Sequence, residues 1–177
     1  MMTDERALIE QAATGDAEAF TELVRRYQDR IFGLVMRMTS NRDAALDLTQ
    51  ETFLAVWQNL PGFRQEASFS TWLIQIALNK TRNYMKRAAR ETALPADFDQ
   101  ASPVADPEAE LASKTRRERL TAAINDLPPV QKAVFHLRFY DHLPFDDIAR
   151  IQKSSVSAAK TSFAEAVKKL RSRLTEQ

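Results

Sequence analysis

Between Thr92 and Ala112 the chain carries three prolines and five acidic side chains, with no basic residue among them. Proline removes a backbone donor and pushes its predecessor towards extended conformations, so Pro95, Pro103 and Pro107 predict an irregular segment here. A chain of 177 residues interrupted in this way becomes two small units, residues 1–91 and 113–177, joined by an acidic linker over 92–112. Composition sets the class of both units. Only three glycines occur, 44% of residues are apolar, and good helix formers are abundant. An all-β sandwich is excluded by that shortage of turn residues. The absence of cysteine excludes disulfides, thiol catalysis and cysteine-ligated metal. Asp4 and Glu5 stand where a secretory signal would carry cations, and the longest apolar run, Ile31–Met36, is far too short for a bilayer. The expectation is an all-α, cytoplasmic protein of two small helical domains with no stable membrane insertion.

Charge is distributed in blocks. Residues 1–62 hold six basic and ten acidic side chains, residues 63–91 six and two, and residues 113–177 thirteen and seven. Separate surfaces for different partners, two of them nucleic acid, would produce this pattern, as would clustering on solvated helix faces.

In the first unit, Thr3 is expected to cap a helix reaching Gly15, with Asp4 and Glu5 in its first turn. Asp16 then caps a second helix whose apolar stripe is Phe20, Leu23, Val24, Tyr27, Ile31, Leu34, Val35 and Met38. Ser40-Asn41 ends it and opens a third helix from Arg42 to Leu60, closed by Pro61-Gly62. Leu46, Phe53, Trp57 and Leu60 are its expected core positions. Asp43, Asp47 and Glu51 recur every four residues on one exposed face. Such a face is either simply solvated or matched to a basic partner. Catalysis is discarded, because no histidine, nucleophile motif or glycine-rich phosphate loop accompanies these carboxylates.

A fourth helix is expected after Phe63, capped by Ser68 or Ser70, with Leu73, Ile76, Ala77 and Tyr84 inward. Its other face carries Asn79, Arg82, Asn83, Lys86 and Arg90, amides and cations suited to phosphates and base edges. Phe63, Phe69 and Trp72 lie just upstream, available either to stack on unpaired bases or to fill the core.

Residues 16–91 resemble region two of bacterial RNA polymerase sigma factors, above all in Asp43-Ala-Ala-Leu-Asp-Leu-Thr-Gln-Glu-Thr-Phe and Phe69-Ser-Thr-Trp-Leu-Ile-Gln-Ile-Ala-Leu-Asn. The group most similar is the small extracytoplasmic-function type, which keeps only regions two and four. The resemblance implies that Asp43, Asp47, Gln50 and Glu51 bind a coiled coil of the largest subunit of core RNA polymerase. It implies that Arg64, Ser68, Phe69, Thr71, Trp72, Asn79, Lys80, Arg82, Asn83 and Lys86 bind the melted −10 element. The loop Gln65 to Ser70 would lie near an extruded base. Stacking and phosphate contacts would offset the cost of unstacking without ATP.

The second unit predicts helices over Ser113–Asp126, Val130–Tyr140 and Phe145–Ile151, then one capped by Ser155 after the turn Gln152-Lys153-Ser154. The last two form a helix-turn-helix. Val156, Ala159, Phe163, Ala166 and Leu170 are the expected buried stripe of the last helix. Leu127-Pro128, Leu137-Arg138 and Asp146-Asp147-Ile148-Ala149 resemble sigma region four. Three departures stand out. Pro144 replaces the usual Ser or Thr cap, Ser157-Ala-Ala-Lys-Thr-Ser162 loses an arginine, and Glu165 occupies a position that is often basic. The resemblance implies −35 contacts from Lys153, Ser155, Ser157, Ala158, Lys160, Thr161, Ser162 and Glu165. Glu165 would repel phosphate, or accept from cytosine N4.

The linker's 21 residues can reach roughly 70 Å when extended, against roughly 50 Å between promoter elements. Related linkers thread towards basic channels of the polymerase, where an acidic chain can mimic nucleic acid; a passive tether is the alternative. The sequence is thus read as a sigma factor that binds core polymerase (coiled coil and flap) and promoter DNA, with an anti-sigma factor as a further partner. It is expected not to be an enzyme, to need no cofactor and to hold no metal, since His136 and His142 lack companion ligands. A stand-alone helix-turn-helix regulator and a polymerase-binding adaptor with degenerate DNA contacts are the competing readings.

Overall fold

The computed structural model describes residues 4–91 and 118–175, and the chain divides into two units, residues 1–93 and 94–177. The linker expected over 92–112 and the start of the helix expected at Ser113 lie outside the described residues.

The first unit contains α1 (Glu5–Ala13), α2 (Ala17–Thr39), α3 (Arg42–Asn59), a 3-10 turn (Leu60–Gly62) and α4 (Phe69–Glu91). Asp4, not Thr3, caps α1, its Oδ1 accepting from the Arg6 amide at 3.3 Å. The helix stops at Ala13, two residues before the expected Gly15, which instead adopts φ 99° in the reversal. Asp16 caps α2 by accepting from the Glu18 and Ala19 amides at 2.9 and 3.1 Å. Ser40 ends α2 in the left-handed region, and Asn41 caps α3 by accepting from the Ala44 amide at 2.9 Å.

The core of this unit gathers Leu8, Ile9 and Ala12 of α1 with Leu23, Ile31, Leu34, Val35 and Met38 of α2. Across from them lie Ala45, Leu48, Phe53 and Val56 of α3 and Leu73, Ile74, Ala77 and Leu78 of α4. Several expected core positions are corrected. Leu46 is 42% exposed, because the inward face of α3 runs through Ala45, Leu48, Thr49, Thr52 and Val56, one residue out of phase with it. On α4, Ile76 and Tyr84 are only half-buried, and Ile74, Leu78 and Thr81 fill the interior instead. Phe20, Val24, Tyr27 and Trp57 are half-buried as well, with Phe20 against Trp57 at 4.8 Å between ring centres. The buried hydroxyls of Thr49, Thr52 and Thr81 donate to carbonyls four residues earlier at 2.6, 2.6 and 2.8 Å, so burying them leaves no orphaned group.

The second unit contains α5 (described over 118–125), α6 (Pro129–Phe139), α7 (Phe145–Gln152) and α8 (Val156–Thr175). Ala123, Ile124, Leu127, Phe135, Ala166 and Leu170 form a core, with Leu120, Phe163 and Val167 packed against it. Pro129 opens α6 at a position where its missing N–H costs nothing. Pro144 supplies no side-chain cap to α7. The entry is fixed by Arg138, which donates to the Leu143 carbonyl at 2.9 Å and stacks its guanidinium 5.0 Å from the Phe145 ring centre. Lys153 turns the chain with φ 52°, and the Ser155 hydroxyl caps α8 by accepting from the Ala158 amide at 3.1 Å.

Candidate functional site

Asp43, Asp47 and Glu51 are exposed on α3, as expected from their spacing, and Gln50 is exposed beside them. Sequence reasoning missed their apolar neighbours. Leu46 and Leu54, 42% and 58% exposed, complete a stripe at 43, 46, 47, 50, 51 and 54. That spacing is itself a helical period, and would have been found by giving Leu48 and Val56 to the core first. A seam of carboxylates and exposed leucines is chemically suited to a basic, amphipathic partner helix.

At the start of α4, Phe63 and Trp72 stack at 4.7 Å with planes 26° apart, both half-buried. Phe69 is only 2% exposed, edge-on to Tyr27 at 5.4 Å and to Phe63 at 6.0 Å. The ring expected to reach the melted strand is thus enclosed in this structure. It is core, and the reachable aromatic pair is Phe63 with Trp72. Thr71 is likewise buried, its hydroxyl 2.8 Å from that of Ser68. Ser68 in turn caps α4, its oxygen accepting from the Thr71 amide at 3.1 Å, so this hydroxyl serves the helix start. Behind them the Tyr27 hydroxyl donates to Glu5 at 2.5 Å, and burial together with that carboxylate holds the phenol well above its ordinary pKa. Arg64 is exposed, and Gln65 takes φ 55° in the loop before the cap.

Further along α4, Asn79, Asn83 and Lys86 are exposed, while Arg82 is half-buried and burial lowers its pKa. Lys80 reaches back to α3, its Nζ 3.2 Å from Glu51 Oε2.

In the second unit, Lys153, Ser155, Ser157, Ala158, Lys160 and Thr161 are exposed around the turn and the first half of α8. Ser162 is half-buried, its position leaning towards the helix's inner face. Glu165 is exposed but engaged, since its Oε2 accepts from Gln131 Nε2 at 2.6 Å. Gln131 Oε1 in turn accepts from Lys169 Nζ at 2.9 Å. Lys132 is 4% exposed and donates to Asn125 at 2.7 Å, and burial pulls its pKa down to about 8. His136 is buried between Phe135 and Tyr140. Among the described residues no group of three or more His, Asp or Glu side chains is gathered for a metal, and no helix is long and apolar enough to cross a membrane.

Residues 23–91 match the family model for sigma-70 region 2, and residues 117–170 match that for sigma-70 region 4. The chain is 34% identical over 170 residues to the ECF RNA polymerase sigma-E factor of Haemophilus influenzae, spanning 90% of this chain and 89% of that one. It belongs to the extracytoplasmic-function sigma factors of the sigma-70 family. It is also 29% identical over 173 residues to the RNA polymerase sigma-H factor of Pseudomonas aeruginosa, spanning 91% of this sigma factor and 90% of that one. The fold is shared with CnrH, solved in complex with the cytosolic domain of CnrY, at a TM-score of 0.75 and 24% identity over 98% of both chains. It is shared too with RpoE of Bartonella quintana, solved with the anti-sigma factor NepR, at a TM-score of 0.74 and 18% identity over 90% of this chain and 98% of that one. As a sigma factor the chain serves RNA polymerase in transcription initiation.

Proposed function

We propose that this sigma factor docks on core RNA polymerase through Asp43, Asp47, Gln50 and Glu51, with Leu46 and Leu54 beside them. Melted −10 DNA is held by Phe63, Trp72 and Arg64 at the start of α4 and by Asn79, Lys80, Arg82, Asn83 and Lys86 along it. The −35 duplex is read by α8 and its turn through Lys153, Ser155, Ser157, Ala158, Lys160, Thr161 and Ser162. The observation that carries this reading is the first unit's pairing of an acidic, leucine-bearing seam on α3 with an amide and cation face on α4. One surface fits a basic protein helix and the other a polyanion. Opening then proceeds by binding alone, without chemistry on a bound substrate, as contacts to unstacked bases and phosphates offset the few kcal/mol of unstacking.

Residues 92–112 tether the two DNA-reading units, and their acidity suits the basic channels of a polymerase. An anti-sigma factor is the natural inhibitor of such a chain, and the complex of the similar RpoE with NepR supports that partner. The protein works in the cytoplasm, where polymerase and promoter meet. A stand-alone regulator is disfavoured, because it would leave the α3 seam without a role.

Transcription reconstituted with purified core polymerase tests the reading. The chain should direct initiation that the Asp47→Lys/Glu51→Lys variant cannot, although both melt alike. Equal core binding by the two proteins would remove the assignment of α3.

A further inference from the structure

Glu165 is the single acidic side chain on a helix that carries Lys160, Lys168, Lys169, Arg171 and Arg173. A carboxylate turned towards the phosphate backbone would weaken binding to every sequence. In the structure that carboxylate is bonded by a side chain of α6. Gln131, in the first turn of α6, donates from its amide nitrogen to Glu165 and accepts at its amide oxygen from Lys169. One neutral side chain thereby spans two opposite charges on α8 and ties both to another helix. An amide carries both the donor and the acceptor that this pair requires. A carboxylate at the same position would reject Glu165, and an ammonium group would reject Lys169.

We propose that Gln131 is a positioning residue for duplex recognition: it draws the Glu165 carboxylate back against α6, beside Lys169, so that DNA phosphates meet Ser157, Lys160 and Thr161 without an acidic group among them. Held in this way, Glu165 reads no base. Its release lowers affinity for all promoter variants by a similar factor. The inference rests on the reading of α8 as the −35 helix.

The test uses the full chain assembled with core polymerase and promoter duplexes that differ only in the −35 element. Gln131→Glu should weaken binding about two- to five-fold, the range expected for a displaced surface charge, with equal loss on each duplex. The exchange variant Gln131→Glu/Glu165→Gln restores a donor and acceptor pair with the wild-type net charge, and should return to wild-type affinity. Thermal melting of all three proteins should coincide within a few degrees. Wild-type affinity for Gln131→Glu would overturn the proposal. So would an exchange variant as weak as Gln131→Glu, or a loss confined to one base pair. A wild-type holoenzyme indifferent to the −35 element would instead bring down the reading of α8 itself, and this inference with it.

Discussion

Lys80 on α4 and Glu51 on α3, 29 positions apart in sequence, meet at 3.2 Å between Nζ and Oε2. The pair joins the two surfaces proposed for different partners, so each charge is shared between a structural contact and a proposed binding surface. With side chains 30% and 59% exposed, the pair contributes at most about 1 kcal/mol to stability. Its larger consequence is electrostatic. Glu51 neutralises a cation on the face proposed for nucleic acid.

Glu51→Gln should therefore leave the melting temperature nearly unchanged and free the full charge of Lys80. Binding of the isolated chain to a single-stranded −10 oligonucleotide should tighten a few-fold, and the logarithmic salt slope should steepen by up to about 0.7. Identical slopes for the variant and the wild type would show that Lys80 never reaches the strand.

Asn79 and Asn83 are exposed on α4, where Arg82 between them is half-buried. The double variant Asn79→Ala/Asn83→Ala thus removes amides from the side proposed to face the strand, with little effect on packing. Promoter opening, followed by the reactivity of unpaired thymines, should fall while core binding holds. Unchanged opening would mean that this face is only solvated.

Lys132 adds a pH dependence to the second unit. Its pKa is about 8 when folded, against 10.5 as the ordinary value, with burial as the cause. Between those values the unfolded chain binds more protons, so stability rises with pH across that window, and the full cost is present below it. That cost is on the order of 1–3 kcal/mol. Lys132→Met should melt higher than wild type at pH 7, and the gap should narrow towards pH 10. A gap that stays constant across that range, or a wild type that melts higher at pH 7, would rule out this account.

Lys153 sits in the left-handed region with φ 52°, at the helix end where glycine is the residue of least strain. Relief of left-handed strain, about 1–2 kcal/mol, less the entropy cost of glycine, about 0.5–1 kcal/mol, should leave Lys153→Gly more stable by up to about 1 kcal/mol. The same change removes a cation beside α8, so duplex binding should weaken and its salt slope should drop by about 0.9 where Lys153 touches a phosphate. A variant that is destabilised would show the strain to be absent.

Much was already determined by the sequence: helices in both units, the caps at Asp16 and Ser155, the exposed carboxylates of α3, and the missing cap at Pro144. These follow from local rules, in which spacing along a helix and the chemistry of its first turn decide the outcome. The tertiary structure decided what local rules leave degenerate. Leu46 and Leu48 look alike in sequence, yet a rotation of about 200° between them sends one to solvent and the other to the core. Phe63, Phe69 and Trp72 are all plausible stacking partners until packing against Tyr27 takes Phe69 inward. Glu51 with Lys80, and Gln131 with Glu165 and Lys169, are pairings across 29 to 38 residues, set by how helices dock and invisible to any window of sequence.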